Sequence, residues 1–155
     1  MIYFVFLTEP ARKLQVKRVH PSAIMPKRCT AKAAGIDLYA SSDVQVQVRT
    51  RRLIPTGIRI ILPPNTFGKI EARSSMAYFL QLDVVGGVID EDYQGEIKVI
   101  VVNNNPDCSI PIKKGDRVAQ LVIHDIKYYE PIEISDKVVI HPTARGKAGF
   151  GSTGI

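Results

Sequence analysis

The sequence predicts an all-β domain, one sandwich or barrel built from many short strands. Three observations predict it. Apolar residues recur with a period of two rather than 3.6, as in DVQVQV at 43–48, where Val44, Val46 and Val48 fall on one face. The turn signals LPPNTFG, NNNPD and KKGD cut the chain into short pieces. Ten scattered prolines exclude long helices, because each removes a backbone donor and clashes with the preceding turn.

The apolar opening IYFVFL reads as an extra edge strand or as an N-terminal extension over residues 1–12. It is too short to cross a bilayer, and no basic region precedes it. The β-branched runs GIRIIL, FGKIEA, EIKVIVV and RVAQLVI read as strands. Only RSSMAYF has the makings of a turn or two of helix. There is no repeat, linker or break in composition, and 45% of the residues are hydrophobic, so one domain with its own core is expected. Cys29 and Cys108 fit no metal-ligand spacing, and His20, His124 and His141 are scattered. That usage suits a reduced intracellular protein of the cytoplasm or nucleus, not a secreted one. The net charge of +6 concentrates in ARKLQVKRVHPSAIMPKRCTAK and RTRR. It marks either a solvated basic face or an anionic partner, nucleic acid or a nucleotide phosphate. No helix-turn-helix pattern or finger spacing is present, and composition alone leaves the choice open.

A sheet domain lacks long helix dipoles, so an anion site would have to come from loops and strand ends. Five segments carry polar residues that a β core does not need. In AAGIDLYA, Asp37 stands between Ile36 and Leu38. Such a carboxylate needs a partner, whether as a turn cap or facing the water shell of a metal. In EARSSMA, Arg73 beside Ser74 and Ser75 reads either as a phosphate cradle or as a surface Arg next to a helix N-cap serine. GGVIDEDYQGEI is the most unusual stretch. Two glycines allow close approach, Val88 and Ile89 look core-like, and Asp90, Glu91 and Asp92 form an acidic run ahead of Tyr93 and Gly95. It reads as a hairpin tip, or as Asp90 leaving a buried strand as a general base with Tyr93 as a flat wall beside it. Gln120 in KKGDRVAQL lies in an apolar run and needs hydrogen-bond partners, from the structure or from a ligand. The closing RGKAGFGSTG is no P-loop, since its Lys comes early. It reads as a solvated end, or as a segment whose Arg145, Ser152 and Thr153 hold phosphate while Phe150 stacks on a base.

These five segments, in this order, resemble the five motifs of the trimeric dUTP pyrophosphatases (dUTPases), from about Lys13 to Gly154. The resemblance implies a jelly-roll-like β-sandwich, or distorted barrel, over residues 13–144, a flexible lid over 145–155, and a homotrimer whose sites are shared between subunits. It implies hydrolysis of dUTP to dUMP and pyrophosphate, which limits uracil in DNA and supplies dUMP for dTMP synthesis. Neither nucleic acid nor membrane is an expected partner. By the same resemblance Asp90 activates the attacking water, and Tyr93 packs under the deoxyribose and excludes a 2′-hydroxyl. The main chain around Gly87, Val88, Ile89 and Lys98 reads uracil. Arg73, Ser74, Ser75 and Gln120 bind phosphate, Asp37 contacts water on Mg²⁺, and Arg145, Phe150, Gly151, Ser152 and Thr153 belong to the lid. Two departures stand out: RSSM replaces the usual R-S-G-L, and Gln94 stands where Arg is frequent. RSS also occurs in dCTP deaminases, but the Arg and Glu expected there fall on Tyr78 and near Ile100. A non-catalytic binding protein of this fold would have no use for a base, a sugar wall and a phosphate lid together.

Overall fold

The computed structural model describes residues 13–139 and 141–148. The edge strand expected in IYFVFL, and the lid residues Phe150, Gly151, Ser152 and Thr153, lie outside the described residues. Within them the chain forms eleven strands and one short helix. They are β1 (Gln15–Arg18), β2 (Ile36–Tyr39), β3 (Val44–Val46), β4 (Arg51–Pro55), β5 (Ile58–Ile61), β6 (Thr66–Glu71), α1 (Ser74–Leu80), β7 (Leu82–Val85), β8 (Val88–Ile89), β9 (Lys98–Asn103), β10 (Ile110–Ile112) and β11 (Arg117–Asp125).

The pairing is nested. β2 pairs with β11, β3 with β10 and β4 with β9, all antiparallel, so the stretch from 36 to 55 runs against the stretch from 98 to 125. This double ribbon curls on itself and gives a jelly-roll-like arrangement. β6 and β8 extend one sheet in the order β2-β11-β6-β8, β7 extends another as β4-β9-β7, and β1-β5 and β3-β10 form two-stranded ribbons. The period of two in DVQVQV has its reason here: Val44 and Val46 stand opposite Ile112 and Ile110, so apolar faces meet across the ladder. Leu38, Ile54, Ile58, Leu82, Ile97, Val99, Val101 and Leu121 are fully buried between the sheets. Each such side chain stabilises by roughly 1.5–3 kcal/mol.

Three local expectations change. Helix α1 is capped by the extended Arg73 without any side-chain capping bond, so neither Ser74 nor Ser75 is the N-cap. The helix is anchored by buried Met76 and stopped by Gln81 in the left-handed conformation (φ 53°). Residues 90–97 are not a hairpin tip, because β8 pairs with β6 while β9 pairs with β4 and β7. Gly86, at φ 60°, turns the chain off the end of β7 and across to the other sheet, a conformation that costs a glycine nothing. Val88 is not a core residue: it is 55% exposed on a two-residue edge strand, and only Ile89 packs against the core. Among the described residues no helix is long and apolar enough to cross a membrane.

Asn103 ties the ribbon together. Its side chain is fully buried, and its Nδ2 donates to Val46 O (3.1 Å) and Cys108 O (3.0 Å) while its Oδ1 accepts from Asn105 N (2.9 Å). Asn103→Ala leaves these groups unpaired. It is expected to lower unfolding stability by about 2–4 kcal/mol, seen as a lower urea midpoint at constant slope. An unchanged midpoint would contradict this role.

Candidate active site

Sheet register brings three distant segments into one row. Asp37 on β2 stands opposite Gln120 on β11, and Gln120 stands opposite Glu71 on β6. Directly opposed residues share a face, so Asp37, Gln120 and the residues leaving β6 at Ala72 and Arg73 converge. Asp37 is buried, at 7% exposure, and is held at both oxygens. Arg73 Nε donates to Oδ1 (3.2 Å), and Arg117 Nη1 (3.3 Å) and the Cys29 thiol (2.9 Å) donate to Oδ2. Burial by itself would raise the carboxyl. The thiol bond and the two guanidiniums outweigh it and hold Asp37 below the usual carboxylate range. Gln120 Nε2 donates to Ala72 O (3.0 Å), and its Oε1 lies against Gly35, where any Cβ would collide with it. Cys29, Ala33, Gly35, Asp37, Arg73, Ser74 and Gln120 enclose a cavity of about 190 Å³. Ser75 is exposed on the first helical turn and does not line it. Tyr39, also on this face, has a buried hydroxyl without a hydrogen-bond partner among the described residues.

A second cavity, of about 360 Å³, opens where β7 and β9 part. β7 ends at Val85 opposite Ile100, so Lys98 lies beyond its end, facing Pro55, which has no N–H to donate. Val88, Ile89, Asp90, Tyr93, Lys98 and Ile100 line this wedge. Gly87 is the pivot. Its carbonyl accepts from Ile70 N (2.7 Å), and a Cβ there would strike Ile70 O. The Tyr93 ring lies over Gly95, and its hydroxyl donates to Glu96 O (3.1 Å). Tyr93 N closes a turn onto Asp90 O (3.1 Å). Glu91 is taken up structurally, accepting from Asn65 N (3.0 Å) and Tyr128 Oη (2.6 Å), a bond that pushes the Tyr128 phenol up. No described residue bonds the Asp90 carboxylate; Asp90 lines this wedge with Tyr93 and also a neighbouring cavity of about 530 Å³ with Phe67 and Tyr128.

The wedge and the small cavity share no lining residue: Asp90 and Tyr93 line one, and Arg73, Ser74 and Gln120 line the other. Arg145 is exposed in a turn closed by Gly146 N to Thr143 O (3.0 Å) and lines neither cavity. Sequence reasoning missed Cys29, Gly35 and Arg117. Gly35 carried a signal, since it directly precedes the Asp37 strand. Arg117 carried a misleading one: in a regular strand its spacing of three from Gln120 puts it on the opposite face.

Gly87→Ala tests the pivot. The added methyl forces β8 away from β6 at a cost of about 1–3 kcal/mol. Amide exchange at Ile70 is expected to accelerate, and unchanged exchange there would contradict the close approach.

Comparison with known proteins places most of the chain. The dUTPase family model matches residues 21–154. The deoxyuridine 5′-triphosphate nucleotidohydrolase of Paramecium bursaria Chlorella virus 1 is 44% identical over 142 residues, covering 92% of this chain and 98% of that protein. That of Oryza sativa subsp. japonica is 38% identical over 149 residues, covering 96% and 85%. A solved structure of Staphylococcus bacteriophage 80alpha dUTPase with dUPNHPP superposes with a TM-score of 0.86 at 26% identity, over 94% of this chain and 100% of that one. With the motifs in order and the fold in common, the chain belongs to the dUTPase family.

Proposed function

We propose that this protein hydrolyses dUTP to dUMP and pyrophosphate as a homotrimer, each site being assembled from more than one copy of the chain. The observation that carries the reading is the division of labour between the cavities. One is lined by Asp90, whose carboxylate no described residue bonds, by Tyr93, and by Lys98 beyond the end of β7. The other holds Arg73, Ser74 and Gln120, donors suited to phosphate oxygens. A nucleoside triphosphate has an end for each, and the lack of shared lining residues supports supply of the two ends by different copies.

In this mechanism uracil enters the wedge and meets the main chain around Gly87, Val88, Ile89 and Lys98. A base with the wrong donor pattern leaves a buried group unpaired, at roughly 1–3 kcal/mol. Tyr93, pinned by its bond to Glu96, packs under the deoxyribose and leaves no room for a 2′-hydroxyl. Asp90 takes a proton from a water in line with the α-phosphorus. The water oxygen bonds to phosphorus, the bond to the α–β bridging oxygen breaks, and pyrophosphate leaves with the electron pair. A placed base of this kind is worth roughly 10²–10⁴ in rate. Arg73, Ser74, Ser75 and Gln120 take the phosphates, and Arg145, Phe150, Gly151, Ser152 and Thr153 close over them. No trio of acidic, His or Cys side chains among the described residues is placed to ligate a cation. Asp37 Oδ1 accepts a single bond, so a lone pair remains for a water on Mg²⁺, and the donor set fits indirect contact only. Mg²⁺ carried by the triphosphate would offset its charge. Ile100, apolar on the wedge wall, offers no second carboxylate for a deaminase.

The test is pyrophosphate release from dUTP, UTP, dCTP and dTTP with Mg²⁺, by the full chain, by Asp90→Asn and by a chain lacking 145–155. Release from dUTP alone is expected, falling by roughly 10² or more in Asp90→Asn and sharply in the truncated chain. Equal release from dCTP, or full activity in Asp90→Asn, would overturn the reading. Full activity without the tail would remove its role as a lid.

A further inference from the structure

The bulge in β11 decides which way Arg117 points. Opposite β2, Arg117 pairs with Tyr39, Ala119 with Leu38 and Gln120 with Asp37, and the register shifts between Arg117 and Ala119. Asp37 and Tyr39 share a face of β2. Their partners Gln120 and Arg117 therefore share it too, although three residues of regular strand would put them on opposite sides. The extra residue has two consequences. It aims the Arg117 guanidinium at Asp37 Oδ2 (3.3 Å) and Cys29 Sγ (2.9 Å). It also leaves the Arg117 carbonyl to accept from Arg73 Nη1 (3.2 Å). Arg73 is thereby pinned at Nε by Asp37 and at Nη1 by Arg117, and it lines the small cavity with Ser74 and Gln120.

We infer that Arg117, with its bulge, is a positioning residue for phosphate binding: its guanidinium holds Asp37, its carbonyl holds Arg73, and both contacts set the direction of the remaining Arg73 donors. The inference rests on the reading of Arg73 as a phosphate ligand. Arg117 does not line the cavity, so it acts through its neighbours. A freely rotating Arg73 would have to give up its side-chain freedom on meeting phosphate, whereas here folding has already fixed it.

The test compares two probes that differ only in phosphate. Calorimetry measures binding of the non-hydrolysable α,β-imido analogue of dUTP with Mg²⁺, and of deoxyuridine, to the wild type, Arg117→Met and Arg117→Lys, with steady-state kinetics alongside. In Arg117→Met, affinity for the analogue is expected to fall about tenfold or more, while that for deoxyuridine changes less than roughly twofold. KM for dUTP should rise with it. Arg117→Lys keeps the charge but loses the fork, and is expected to recover part of the loss. Should Arg117→Met fail to fold, Arg117→Lys reads the same ratio of losses. Equal losses for both probes would make Arg117 merely structural, and no loss for the analogue would remove its role. Both outcomes overturn the inference while leaving dUTP hydrolysis standing. If the wild type itself failed to bind the analogue, the functional reading would fall first.

Discussion

One buried carboxylate between two guanidiniums organises the small cavity of this protein. Asp37 is deep enough in the sheet that an unpaired charge would be costly, and removing one partner from such a group typically costs about 3–5 kcal/mol. The fold meets this demand with Arg73 from the start of the helix and Arg117 from the far strand. Because the contacts are obligatory, they fix more than the acid. Arg73 is extended where α1 begins, so the Asp37 contact also sets where Ser74 stands. The stabilising ion network and the proposed anion cradle are the same set of atoms.

The nested ribbon explains how residues at 37, 73, 117 and 120 meet at all. Each pairing is long-range, and no strand pairs with its immediate neighbour in sequence among those described. The same winding makes β7 and β9 part company at Gly86, because the chain must cross to β6. That parting leaves strand-end main chain without a ladder partner on that side, which the proposed base-reading slot would use. Fold and site therefore share one cause: the wedge exists because a jelly-roll-like ribbon changes sheets there.

Much of this was legible in the sequence, for local reasons. Period-two patterning located Val44 and Val46, and the apolar flanks of Asp37 and Gln120 announced polar groups in need of partners. The short helix after Arg73 was legible as well. The misreadings were tertiary. Val88 looks like core, but its strand is an edge two residues long. GGVIDEDYQG looks like a hairpin, but its flanking strands belong to different sheets. Arg117 has the wrong parity for Asp37, and only the bulge, invisible to any periodicity, puts it right. Patterning reads which faces are apolar. It does not read where a ladder slips or where a strand changes partners.

The most direct test of the account is subunit complementation, because its central claim is that base and phosphate cradle reach one dUTP from different copies. Asp90→Asn and Arg73→Ala chains, each inactive alone, would be unfolded together, refolded as mixed oligomers and assayed for pyrophosphate release from dUTP. Random mixing in equal amounts leaves about a quarter of the sites with both groups intact, so activity is predicted to return to roughly that fraction of wild type. Mixed oligomers that stay as inactive as either parent would mean that each chain builds its site alone, and would contradict the account.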